Sequence, residues 1–273
     1  MKIGLVNVST RMDPERGQAI NAWFDKRYPD REVSVVFQEA AFMKHGHFAG
    51  DDAVRARAFI EFANDPRIDA VWFARGGYGS CRIAEAVIPH LNDVARAKRY
   101  LGYSDAGSLL AALYKAGFEH VAHGPMASDS VRHDATAERA LAWLTKGDPR
   151  SWEPSLHDDP RPAVAFNLTV LDQLLGTPLE PDLSGHVLML EDVSEAHYRI
   201  DRMMFHLTSQ PSIRRVAGIR WGRFSDIPDN DPDFGQTPEE IGRYWCARSG
   251  IPYLGSADIG HDQDNKVVPF GRR

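Results

Sequence analysis

The sequence predicts an α/β protein whose first half is a doubly wound, mostly parallel sheet, followed by a smaller C-terminal α/β domain. Two observations carry this. Short apolar runs alternate with amphipathic stretches through the first half, as expected when helices cover both faces of a parallel sheet. Loops rich in Gly and small polar residues follow several of those runs, at the strand ends where such sheets bind ligands. With 273 residues, 43% of them hydrophobic, the chain can bury a sizeable core in one large domain or two packed ones.

Residues 3–8 read as the first strand and 17–27 as the helix after it. A second strand covers 33–37, and a helix from about 51 to 64 repeats Ala, Phe and Ile at helical spacing. The third strand, 70–73, runs into Arg75-Gly76-Gly77-Tyr78-Gly79. A helix at 83–91, a strand at 99–103, a helix at 106–116 and a short strand at 120–123 complete this half. Between 147 and 162 the chain turns rich in Pro, Asp, Ser and Arg and loses periodicity, as a linker does. We therefore expect a first domain at 1–147, a linker at 148–165 and a second domain at 166–273. In the latter, 167–175 reads as helix, 186–190 as strand, 198–210 as amphipathic helix and 216–221 as strand. An acidic loop at 225–235, a helix at 239–249 and a strand and loop around 260–269 follow.

The formal charge of -6 gives no long-range attraction for phosphate backbones, and no basic stripe is interleaved with aromatics, so nucleic acid is not an expected partner. No apolar run is long enough to span a bilayer, and the first ten residues carry no basic leader; no membrane partner is expected, and a cytoplasmic location is. Cys81 and Cys246 form no C-x-x-C pair, so neither a disulfide framework nor a thiolate metal site is expected. The 261–265 tail offers oxygen ligands but lacks the glycine and distal glutamate of a calcium loop. No metal and no cofactor is expected.

Chemistry concentrates at Gly102-Tyr103-Ser104-Asp105-Ala106, where a strand meets a small polar residue and then a helix. That is the pattern of a nucleophile elbow, with Ala106 in place of the usual last glycine. Ser104 is equally a residue type that caps helices. The loop from Arg75 to Gly79 would converge on the same crevice and offer backbone N–H groups to an oxyanion. A serine nucleophile needs a base and an acid to orient it. His90, His120, His123 and His261 are candidate bases; Glu191 and Glu195, after an apolar strand, are candidate acids, and each is also a residue type found in turns and solvated loops.

These segments together resemble the L,D-carboxypeptidase family, which also contains microcin C immunity hydrolases. The resemblance rests on Phe48-Ala49-Gly50-Asp51-Asp52 with Arg55, Ala74 to Gly79, Gly102 to Asp105, His123-Gly124-Pro125-Met126, Asn167-Leu168, Leu190 to Val193 through Tyr198 to Arg202, and Gly260-His261 with Asn265 and Pro269. It implies a Ser-His-Glu triad of Ser104, His261 and Glu191, an oxyanion hole from the N–H groups of Gly77 and Asp105, and a small peptide substrate bordered by Arg75, Tyr78 and Asn167. Arg75 suits a terminal carboxylate, its alternative being a salt bridge within the loop.

The resemblance further implies a barrel-like sheet in the second domain, a homodimer, and a site between domains whose closure governs activity. The implied reaction is release of terminal D-Ala from a muramyl tetrapeptide in peptidoglycan recycling. The alternatives are hydrolysis of a peptidyl-nucleotide antibiotic, with the 223–234 loop and Trp221 as candidate nucleotide contacts although packing is the favoured role of Trp221, and a non-catalytic small-ligand module. Asn7-Val8-Ser9-Thr10 departs from the family's Ala-Pro-Ser type of turn, and the segment before Asn167 lacks its glycine pair.

Overall fold

In a computed structural model that describes residues 1–130 and 133–271, the first apolar run forms β1 (Lys2–Val6), followed by α1 (Pro14–Arg27) and β2 (Ser34–Phe37). Then come α2 (Asp52–Asn64), β3 (Ala70–Phe73), α3 (Cys81–Val87), α4 (Asp93–Arg96), β4 (Arg99–Gly102), α5 (Gly107–Lys115) and β5 (Val121–His123). These five strands pair in the parallel order β5-β4-β3-β1-β2, so the direction of winding reverses between β1 and β3, the place where open α/β sheets hold ligands. Alternate residues serve opposite faces. Ile3, Leu5, Ala70 and Trp72 pack against Ile20 and Phe24 of α1, whereas Val6, Val71, Phe73 and Tyr100 meet Phe59, Ile83 and Leu109 from α2, α3 and α5.

The described chain continues through α6 (Ala127–Ser130) and α7 (Asp134–Lys146) to β6 (Ala163–Asn167) and α8 (Leu168–Leu174). It then forms β7 (Val187–Val193), α9 (His197–Ser209), β8 (Gly218–Ser225), α10 (Pro238–Ser249), β9 (Tyr253–Ser256) and β10 (Val268–Pro269). The second sheet is parallel, in the order β6-β7-β8-β9.

Several elements differ from expectation for identifiable reasons. Helix α1 starts at Pro14 rather than at 17, because proline fits the first helical turn. Helix α7 was not expected, although Ala137, Ala140, Leu141 and Leu144 bury one face and Gly147 ends the helix at φ 63°. Strand β6 begins inside the stretch expected as linker, and all five of its residues are buried. Strand β10 leaves the second domain and pairs antiparallel with β5, Val268 opposite His123, so it closes the edge of the first sheet. The expected second-domain limit at 273 lies outside the described residues.

Candidate active site

Strand β4 lies so close to β3 that a side chain on Gly102 would stand 2.7 Å from the Phe73 ring. The chain then turns sharply: Ser104 has φ 53°, a left-handed conformation that costs a non-glycine residue roughly 1–2 kcal/mol. A 3₁₀ turn over 104–106 leads into α5. Ser104 caps neither turn nor helix, since the residues at the cap positions are Tyr103 and Ala106 and neither makes a side-chain cap. The geometry is that of a nucleophile elbow, in which a strained turn presents the hydroxyl above the sheet.

The glycine loop after β3 reaches the elbow through Asp105. Its buried carboxylate accepts the N–H groups of Gly79 at 3.2 Å and Ser80 at 2.9 Å and the hydroxyl of Ser9, while Ser80 Oγ donates to the Asp105 carbonyl. Behind the loop, fully buried Arg55 donates to the carbonyls of Val8 and Gly79 and pairs with Asp52, its guanidinium 4.6 Å from the centre of the Phe48 ring. An alanine Cβ at Gly76 would sit 3.1 Å from Ser104 Oγ, which measures how tightly backbone approaches hydroxyl. The N–H groups of Gly77 and Asp105 donate to no other described residue.

Gly77 has φ 130°, and a Cβ there would overlap Thr10 Oγ1 and lie 2.7 Å from Thr10 Cβ. Gly77→Ala is therefore expected to lower stability by about 1–3 kcal/mol through strain and overpacking. Chemical denaturation measures it; an unchanged midpoint would show that the loop has room to move.

Across the cleft, Glu191 on β7 is fully buried. The β7–β8 register shifts between Leu190 and Asp192, a local irregularity of the kind that re-aims side chains. A side chain at Gly222 would press on Glu191 Cβ at 2.9 Å, so β8 must be bare at that point. Glu191 Oε2 lies 2.6 Å from His261 Nδ1, in the turn before β10. The carboxylate can only accept, so the proton belongs on Nδ1, and Nε2 of the neutral ring is left as an acceptor. Nε2 is buried and has no hydrogen-bond partner among the described residues, Ser104 included. The His261 ring sits 4.7 Å, centre to centre, from Tyr103, the residue before Ser104. Catalytic hydrogen bonds commonly tighten only when substrate binds. Burial depresses the His261 pKa, but the adjacent Glu191 charge and hydrogen bond outweigh it and hold the imidazole above its ordinary value. A cleft of about 460 Å³ opens beside the ring, lined by Tyr103, Asp129, His133, Thr136 and Gln263 among others.

The other expected residues take varied places. Arg75 is half-buried, donates to the Arg11 carbonyl at 3.0 Å and forms no ion pair among the described residues. Tyr78 is 47% exposed and packs near Phe48. Asn167 is committed to structure: Oδ1 accepts Val170 N–H at the start of α8, and Nδ2 donates to Asp192 at 2.8 Å. Glu195 contacts Thr169 and Arg199, away from His261. His90 lies in a 3₁₀ turn after α3, His120 precedes β5, and His123 is fully buried. Trp221 stacks on Phe224 at 4.4 Å and fills space beside Gly242, a packing role. No cluster among the described residues could hold a metal ion, and no described helix is long and apolar enough to cross a membrane. The side chains of Ser9 and Asp105 escaped the sequence reading; Arg55, a lone cation on the buried face of an Ala- and Phe-rich helix, was the available signal for the loop's support.

Residues 3–124 match the LD-carboxypeptidase N-terminal domain and 162–273 the LD-carboxypeptidase C-terminal domain. The chain is 33% identical to a putative carboxypeptidase of Synechocystis over 88% of its length and 80% of the relative's. It is 29% identical to a probable murein peptide carboxypeptidase of Bacillus subtilis over 88% and 79%. Among solved structures it resembles the muramoyltetrapeptide carboxypeptidase from Oxalobacter formigenes, with TM-score 0.83 and 24% identity over 99% of this chain and 93% of that one. It also resembles MccF in complex with glutamyl sulfamoyl guanosine, with TM-score 0.80 and 19% identity over 99% and 91%. At those identities the likeness to the solved structures is one of fold.

Proposed function

The chain belongs to the LD-carboxypeptidase family and is a carboxypeptidase, and on that premise we propose that it releases terminal D-Ala from a muramyl tetrapeptide through a triad of Ser104, His261 and Glu191. The observation that supports this is the buried 2.6 Å pairing of Glu191 with His261 Nδ1, which leaves Nε2 without a partner among the described residues, on a ring 4.7 Å from Tyr103, the residue before Ser104. Family membership and a murein-peptide relative support the substrate class.

In this reading Ser104 Oγ attacks the carbonyl carbon of the scissile amide while His261 Nε2 takes its proton. The carbonyl oxygen becomes an oxyanion held by the N–H groups of Gly77 and Asp105. As the tetrahedral species collapses, the C–N bond breaks and His261 returns the proton to the departing amine of D-Ala. Water, deprotonated by the same nitrogen, then releases the acyl group and restores Ser104. Asp105 thus holds the glycine loop with its side chain while its backbone serves the reaction. Arg75, which forms no ion pair among the described residues, is the residue to bind the substrate's terminal carboxylate.

The test compares a muramyl tetrapeptide with the same peptide carrying a C-terminal amide, and with a peptidyl-nucleotide amide. Tetrapeptide turnover with loss of D-Ala is expected, together with rejection of the amidated peptide. Arg75→Lys should lower kcat/KM on the free acid by about 10–100-fold, the loss of one bidentate charged contact, and change turnover of an amidated peptide little. Turnover confined to the peptidyl-nucleotide would keep the triad and replace the substrate.

A further inference from the structure

We propose that Asn265 is a positioning residue for the base, joining the His261 turn to the first sheet through His123. The inference rests on the triad reading above and adds a residue to it. A backbone N–H can only donate, so the Asn265 atom 3.3 Å from Gly260 N is its carbonyl oxygen. The same oxygen lies 3.2 Å from His123 Nε2, which must then carry the ring proton. Both side chains are about 1% exposed, and burial pushes the His123 pKa down to about 4, so His123 is a neutral donor throughout the working range.

Asn265 therefore spans the base of the turn that carries His261. One bond runs to Gly260, the residue before the base, and the other to the last residue of β5 in the other domain. The remaining ties lead the same way. Thr136 Oγ1 donates to the Gln263 carbonyl at 2.7 Å, and Arg139 Nη1 donates to the carbonyls of Gln263 at 3.0 Å and Asn265 at 2.9 Å. The segment bearing the base is thus oriented by β5 and α7 of the nucleophile's own domain, while its acid stands on the second sheet. On the outer side Arg223 binds Asp258 and Asp262, but those groups are about one-third exposed and a weaker anchor than the buried amide. Asn265 holds Nδ1 against Glu191 and keeps the two halves of the triad in register.

The experiment measures kcat, KM and the pH profile of Asn265→Ala and Asn265→Asp on a muramyl tetrapeptide, with the far-downfield imidazole N–H proton of His261 followed by NMR. The groups facing His261 are Glu191 and Asp192 on β7, Asp129 on α6, His123 on β5, Asp262 beside it, and Tyr103 at the elbow. In Asn265→Ala, kcat is expected to fall about 10–100-fold, as for a misplacement near 1 Å. KM should stay within about twofold, since substrate contacts remain. The acid limb should move to lower pH and the downfield resonance vanish. Asn265→Asp keeps the acceptor oxygen and, held protonated by burial, should recover kcat to within about threefold.

Wild-type kcat and acid limb in the alanine variant, or equal losses in both variants, would overturn the proposal. If Asn265→Ala does not fold, His123→Phe carries the test: it deletes the donor to Oδ1 and should move the acid limb in the same direction, and an unmoved limb overturns the inference. His261→Ala separates this from the reading beneath it. Full activity there removes the triad itself, whereas an inactive His261→Ala beside a wild-type-like Asn265→Ala removes only the positioning role.

Discussion

Ser104→Ala is expected to lower kcat for D-Ala release by about 10⁴-fold or more, with the protein folded and substrate still bound. Losses of that size follow removal of a triad nucleophile, because the base and orienting acid have nothing left to activate. The structure adds a second half to this expectation. Ser104 stands at φ 53° without capping the helix after it, so its side chain offers no capping hydrogen bond to offset the backbone strain. Ser104→Gly should be as inactive as the alanine variant yet more stable, by about 1 kcal/mol, since glycine adopts this conformation freely. Thermal unfolding of the two variants measures the difference. Retained turnover in Ser104→Ala would refute the nucleophile, and a glycine variant no more stable than alanine would refute the strain.

Glu191→Gln is expected to cost about 10⁴-fold in kcat, the scale seen when the orienting carboxylate of a triad becomes an amide. The buried pair gains most of its effect by fixing the His261 proton on Nδ1, and a glutamine can present its N–H₂ there and reverse the tautomer. The pH profile supplies a signature. The base must be neutral to act, so wild-type activity rises with pH through the raised His261 pKa. Without the Glu191 charge, burial dominates and the acid limb of the residual activity moves down. Stability runs the other way. A histidine whose pKa is raised by folding adds stability that is fully present below about 6.5, its unfolded value, and is lost as pH rises through the folded value. The gap in Tm between wild type and Glu191→Gln should therefore be wider near pH 6 than near pH 8. A gap that widens with pH would contradict the assigned charge state.

Much of this was legible in the sequence because period-two and helical spacing report burial directly: β3 is apolar throughout and sits in the middle of the sheet, and α2 and α9 follow their apolar stripes. The short strands were harder. Strand β9 is half-exposed, with no residue wholly buried, and β6 follows a Pro- and Asp-rich stretch that reads as linker. What local sequence could not convey was long-range pairing. Nothing in Val268-Pro269 tells that it returns to β5, nor in Asn265 that its partner is His123. Ser104 and the glycine loop could be singled out from their neighbours, but Asp105 as the bracket between them depends on Ser9, Gly79 and Ser80 arriving from two other strand ends. Asn167, expected to border the substrate, also holds a helix start, and Trp221 packs on Phe224, the role its sequence favoured over a nucleotide contact.

With the proposed triad, the return of β10 to β5 also sets when the enzyme can begin to work. During synthesis the five parallel strands of the first sheet, with Ser104 and the glycine loop, leave the ribosome well before the turn that holds His261, because Asn265 follows His123 by 142 positions. Until then the rim of β5 is an unpaired edge, open to wrong partners. The same late segment that seals that rim carries His261, the proposed base. With the proposed triad, a nascent or prematurely ended chain would display Ser104 without the base that activates it, and hydrolytic competence would arrive in the same step as protection from aggregation.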